Sequence, residues 1–246
     1  PSGGRDAAMN TVNTIKKRAI RALLTGAIAL FSSGFALAGV AIEHWSLPSG
    51  AQVYLVRSPA IPMLDVQIDF DAGSRRDPPA QAGLAQVTAG LMDKGVRAIA
   101  APAGQVAQAA LDENALGEIW AYLGASFSAS ASADRMSFSL RSLSEPALLT
   151  QAVQLAARQL GEPQFPSAIW VREHASLAAA LKQADTRPAV LAHRALARAV
   201  YGAHPYGYEM TASSLAAISV ADMAALHQRL LLPCRANISL VGAVDS

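Results

Sequence analysis

Five histidines, His44, His174, His193, His204 and His227, are the side chains best suited to acid–base or metal chemistry, and none stands four residues from another. The chain has no H-x-x-E-H, no C-x-x-C, no G-x-S-x-G elbow and no Walker loop. Glu173 and His174 are adjacent within a helical pattern and read as a solvated or partly buried surface pair. Asp65, Asp69 and Asp71 alternate with Leu64, Val66, Ile68 and Phe70. That period of two suggests a metal site less than it does the wet outer face of an antiparallel sheet. Cys234 is the only cysteine, so no internal disulfide forms, and it reads as a small buried hydrophobe. In the stretch GLAQVTAGLMDKG, from Gly83 to Gly95, the residues Gln86, Ala89 and Gly90 fall at i, i+3 and i+4. They share one side of a helical turn and place there an amide, a methyl group and a hydrogen. From the residues alone, no active site is recognisable.

The elements that would position these groups begin after an unusual leader. Lys16, Lys17, Arg18 and Arg21 precede the uncharged run ALLTGAIALF, Ala22 to Phe31, which is followed by Ala36-Leu37-Ala38. A charged segment, a short apolar segment and a small-x-small site describe a signal peptide cleaved after Ala38. The competing readings are a membrane anchor or a buried helix, and the run is short for a span. The expected organisation is an extension and signal peptide over 1–38, then one domain over 39–246, exported to the periplasm with no stable membrane span. The remaining chain is 208 residues long and close to neutral. With aromatics at 6%, it offers no basic patch for nucleic acid.

Within that domain AQVYLVRS and MLDVQIDFDAGS read as strands, and GSRRDPPAQAG as a loop. Helices are expected from about Ala80 to Lys94 and from Ala103 to Leu123. Two alternating runs around Ala133-Asp134-Arg135 make a hairpin, with serines on its polar face. Pro146, Pro166 and Pro188 each open a helix, ending near Leu160, Gln183 and Tyr201. GAHPYGYEMTASS is a loop, in which His204 orders the turn. Ser219 and Asp222 form a weak capping box for a helix ending near Leu232-Pro233, and ANISLVGAV is a closing strand. The order predicts an α+β, two-layer domain with a mostly antiparallel sheet and helices packed on one side.

These segments, in this order, resemble the insulinase/pitrilysin family of zinc metallopeptidases, which includes the mitochondrial processing peptidase. LDVQIDFDAGSRRDPPAQAGLAQVTAGLMDKG is similar to the family's strand, loop and first helix. YLGASFSASASADRMSFSLRSLSE is similar to its central hairpin, and RALARAVYGAHPYG with ISVADMAALHQRLLLPCRANISLVGAV to its later helices and closing strand. The resemblance covers nearly all of the expected domain. It implies that Gln86, Ala89 and Gly90 stand where the family carries H-x-x-E-H, and that Ala180 stands near its third ligand, a glutamate. Glu173 then matches a second acidic position on the same helix.

A zinc peptidase site needs three protein ligands and a water, and these positions offer one weak amide oxygen. The resemblance therefore implies a member that has lost the zinc motif: a non-catalytic subunit holding no zinc, forming one wall of a chamber and binding peptide or unfolded protein for a homologous zinc-bearing partner. The chain is expected to be the first half of a longer subunit. Two further readings stay open: an active zinc endopeptidase with relocated ligands such as Glu173 and His174, and an exported peptide-binding module with no protease partner.

Overall fold

The alternation in MLDVQIDF produces a central strand with one apolar and one polar face, and the sheet is built outward from it. The computed structural model describes residues 40–101 and 107–245, so the leader and its cleavage site lie outside the described residues. The strands are β1 (Glu43–Ser46), β2 (Gln52–Arg57), β3 (Met63–Phe70), β4 (Gly95–Val96), β5 (Leu111–Asp112), β6 (Ser126–Ala131), β7 (Met136–Leu143) and β8 (Asn237–Gly242). Six of them form one sheet in the order β1-β2-β8-β3-β7-β6. Every neighbouring pair is antiparallel except β2 and β8, which run parallel.

The register carries both faces across the whole sheet. Tyr54, Ser239, Gln67, Ser139 and Ser128 are successive partners in one transverse row on the polar face. On that face Arg141 pairs with Asp65 at 2.6 Å and Arg135 with Asp69 at 3.1 Å, so the acidic residues of β3 serve cross-strand ion pairs. The opposite face carries Phe70, Met136 and Phe138, all buried.

The helices are α1 (Leu84–Leu91), α2 (Glu113–Leu123), α3 (Pro146–Gly161), α4 (Ser167–Ala184), α5 (Pro188–Tyr201), α6 (Ala212–Ala216) and α7 (Val220–Leu230). α1, α4 and α7 pack with Phe70, Met136 and Phe138 in one core cluster, through Leu84, Val87, Trp170, Met223 and Leu226. α2 and α3 close a second cluster around Val96, Leu116, Leu123 and Leu140. Phe70 and Phe138 meet edge to face at 5.8 Å within the first. The architecture is α+β, with an open, mostly antiparallel sheet and helices on its apolar face.

Several expectations need correction. The first helix covers Leu84–Leu91 rather than 80–94. Gly83 before it has φ +101°, and any Cβ there would strike Met210, which fixes the start. Pro79–Gln81 and Ser74–Arg76 form short 3-10 turns inside the expected loop. The second helix begins at Glu113, because Leu111–Asp112 pairs with Gly95–Val96 and Asp112 caps the helix by accepting from Ala115 N–H at 2.9 Å. Residues 103–106 of that expected helix lie outside the described residues. β1 was not read from the sequence, since four residues are too few to show a period. Cys234 is exposed, not buried, because it sits in a 3-10 turn, Pro233–Arg235, after α7. The loop after α5 also contains the one-turn helix α6.

Candidate peptide-binding groove

α1 lies along the sheet's end strand, and its position is set by burial and by one carboxylate. Six of its eight residues are buried: Leu84, Ala85, Val87, Thr88, Ala89 and Leu91. The Asp77 carboxylate, itself buried, accepts from the N–H groups of Gly83 at 2.9 Å and Ala85 at 3.0 Å. It thereby satisfies donors that the first helical turn leaves open. Burial pushes the Asp77 carboxyl up to about 6, against these backbone hydrogen bonds, which pull it down. The sequence reading missed this cap, although an aspartate followed by a proline-rich turn and a helix is a signal of that kind.

Only Gln86 and Gly90 of α1 are exposed. With Ala89 they line a groove of about 340 Å³. Its other walls are Ala129, Ser130 and Ala131 of β6, Glu173 and Leu177 of α4, and Met210. The three motif positions of α1 and Glu173 are thus brought together. Ala180 is not among the lining residues; it is exposed further along α4, and Leu177 occupies the facing position instead. Leu177 stands four residues, about one turn, from Glu173 on the same side of α4.

The groove's one acidic side chain is already engaged. Glu173 accepts from Arg172 at 2.9 Å, and Arg172 reaches Glu113 at 3.0 Å. Glu113 also binds Lys94 at 2.8 Å. The Lys94 hydrogen bond, against some desolvation, together with Arg172 holds the Glu113 carboxyl below its ordinary range. His174 meets the Trp170 ring edge-on at 5.2 Å. His204 accepts from the Tyr206 N–H at 3.2 Å, which orders its turn. His227 bonds the Leu160 carbonyl at 2.7 Å and His44 stacks on Tyr54.

A zinc centre of the peptidase type requires three converging protein ligands. Here Ala89 and Gly90 have no donor, Gln86 has one neutral oxygen, and Glu173 is bonded to Arg172. Among the described residues no three His, Cys, Asp or Glu side chains converge. The residues present do not fit the metal. What the groove does offer is backbone. Among the described residues β6 pairs only with β7, so its outer row of N–H and C=O groups has no described strand beside it.

No family model matches the chain, and no curated protein matches it. Solved structures do. One described as a peptidase M16 inactive domain from Pseudomonas fluorescens is 31% identical with a TM-score of 0.75, covering 83% of this chain and 47% of that one. The periplasmic protease PqqL from Escherichia coli is 14% identical with a TM-score of 0.68, over 83% of this chain and 22% of that one. Pitrilysin is 21% identical with a TM-score of 0.63, over 85% of this chain and 22% of that one. The chain therefore spans about half or less of the length of these structures. With this topology and with Gln86, Ala89 and Gly90 on the groove wall, the chain has an insulinase/pitrilysin-like, M16-type peptidase fold without the zinc motif.

Proposed function

We propose that this protein is a zinc-free, peptidase-like subunit that holds an extended peptide for a metal-bearing partner. The observation that carries the reading is the groove itself: two walls and an open strand edge are kept, while the positions that would do chemistry carry an amide, a methyl group and a hydrogen. A peptide laid against β6 as an added strand would satisfy that strand's outer N–H and C=O groups. Its side chains would alternate between the groove over Ala89 and Leu177 and the solvent. Gln86 and Ser130 would offer it neutral hydrogen-bond partners. The likeness to a domain described as inactive supports a non-catalytic role, and the partner would supply the other wall of a chamber. Export to the periplasm fits the leader and the likeness to a periplasmic protease. Among the described residues no helix is long and apolar enough to cross a membrane.

The test has two arms on the purified protein. Elemental analysis after dialysis against trace zinc should give close to no zinc per chain. Fluorescent unfolded peptides should bind and remain uncut, and Gly90→Trp, which fills the groove, should abolish binding. Peptide cleavage that a chelator blocks would overturn the reading, and so would stoichiometric zinc lost on His174→Ala.

A further inference from the structure

α5 is an amphipathic helix with its apolar stripe facing outward. None of its residues is buried. It meets the domain through the narrow face formed by Val190, Arg194 and Ala197, which are half-buried. Arg194 anchors that face by pairing with Asp185 and, at 3.0 Å, with Glu209. At about 100° per residue, the opposite half of the helix carries Leu191, Ala192, Ala195, Leu196, Ala199 and Val200. All six are exposed, with Leu191 at 48%, Leu196 at 61% and Val200 at 63%. A helix at a water boundary is expected to be polar on its outer side, and α5 instead carries its apolar stripe there.

The edges of the stripe say what kind of cover fits. Arg187 and Arg198 run along one edge and His193 along the other, and all three are exposed. Among the described residues neither arginine has an acidic partner, and α5 contains no acidic residue. We propose that this face docks an amphipathic helix of a partner protein whose apolar stripe is flanked by aspartate or glutamate. The three alanines make a shallow floor between Leu191, Leu196 and Val200, so a second helix can lie close with its ridge in that groove. The same alanines contribute little to insertion into lipid, for which large apolar side chains are needed. A second copy of α5 would bring Arg187, Arg198 and His193 against their own kind, which opposes self-pairing. The surface is separate from the groove walled by α1 and β6, so the two proposals stand or fall apart.

The probe is a synthetic helix of about 20 residues with a leucine–alanine stripe flanked by glutamates, and a twin with lysine for every glutamate. Binding to the whole chain is read by fluorescence anisotropy. The glutamate helix should bind, and the lysine twin at least about tenfold more weakly. Leu196→Asp should abolish binding while leaving the thermal melt in place, since the side chain is exposed. Arg187→Glu with Arg198→Glu should reverse the preference between the two helices. The proposal is overturned if the glutamate helix does not bind at about 100 µM, or if both helices bind alike. It is also overturned if sedimentation shows a dimer that Leu196→Asp dissolves, which would make a second copy the occupant. Vesicles of phosphatidylglycerol and phosphatidylcholine that bind the chain through Leu196 would make it a membrane surface instead.

Discussion

α1 and α5 are both alanine-rich helices, and they answer to opposite constraints. α1 has six of eight residues buried, and only Gln86 and Gly90 face outward. α5 has none of its fourteen residues buried. The core therefore dictates most of α1 and leaves free Gln86 and Gly90, which border the groove beside the buried Ala89. In α5 the core dictates almost nothing, yet the outer face is not polar.

The contrast can be broken most forcefully from the buried side. Leu91→Ala in α1 removes a side chain that is 2% exposed and should destabilise the domain by about 2–5 kcal/mol. Leu196→Ala in α5 should change stability by less than about 0.5 kcal/mol. Equal losses in two denaturant titrations would refute the division between the helices.

Asp77 supplies the next effect. Its native carboxyl titrates near 6, above its ordinary value of 3.8, so between these pH values the native state binds more protons than the unfolded chain. The stability due to this group is thus fully present below about pH 3.8 and is lost as pH rises through 6, by up to about 3 kcal/mol. Asp77→Asn keeps one acceptor of two and should cost about 1–2 kcal/mol at pH 7. Because the variant cannot take up the proton, its deficit should widen when melts are repeated at pH 5. A deficit that narrows at pH 5 would show that the charged carboxylate is the stabilising form.

A smaller change should run in the favourable direction. A Cβ placed on Gly90 meets nothing within 4 Å, and the residue is helical. Gly90→Ala should therefore raise stability by about 1 kcal/mol through helix propensity. Its melting temperature would fall only if an unseen neighbour occupies that space. The open room also means that Gly90 is not demanded by packing.

The periodic segments were legible in the sequence. The strand around Val66, the serine-faced hairpin and the three proline-opened helices depend on local spacing, which sequence displays directly. The Ser219–Asp222 box is complete, with Asp222 accepting from the Ser219 N–H at 2.9 Å. The short pieces were not legible: β1 is four residues of a hairpin with β2, and β4 and β5 are two residues each, defined only by their pairing with one another. Similarly, the groove's α1 positions and Glu173 followed from helical spacing and family likeness, whereas Leu177 and Met210 enter it through tertiary packing. Cys234 was misjudged because an apolar strand follows it, and the intervening turn lifts it to the surface.

The placing of β8 has a consequence for the order of assembly. It follows every other described strand in sequence, yet it sits between β2 and β3, and among the described residues it is what joins the β1–β2 hairpin to β3, β7 and β6 within the sheet. A ribosome would release those two pieces early, each with an unsatisfied inner edge, and nothing in the sheet could join them until residues 237–242 emerged. The domain thus has a built-in delay: it stays divided, and open to whatever handles unfolded chains, until nearly all of it has been made.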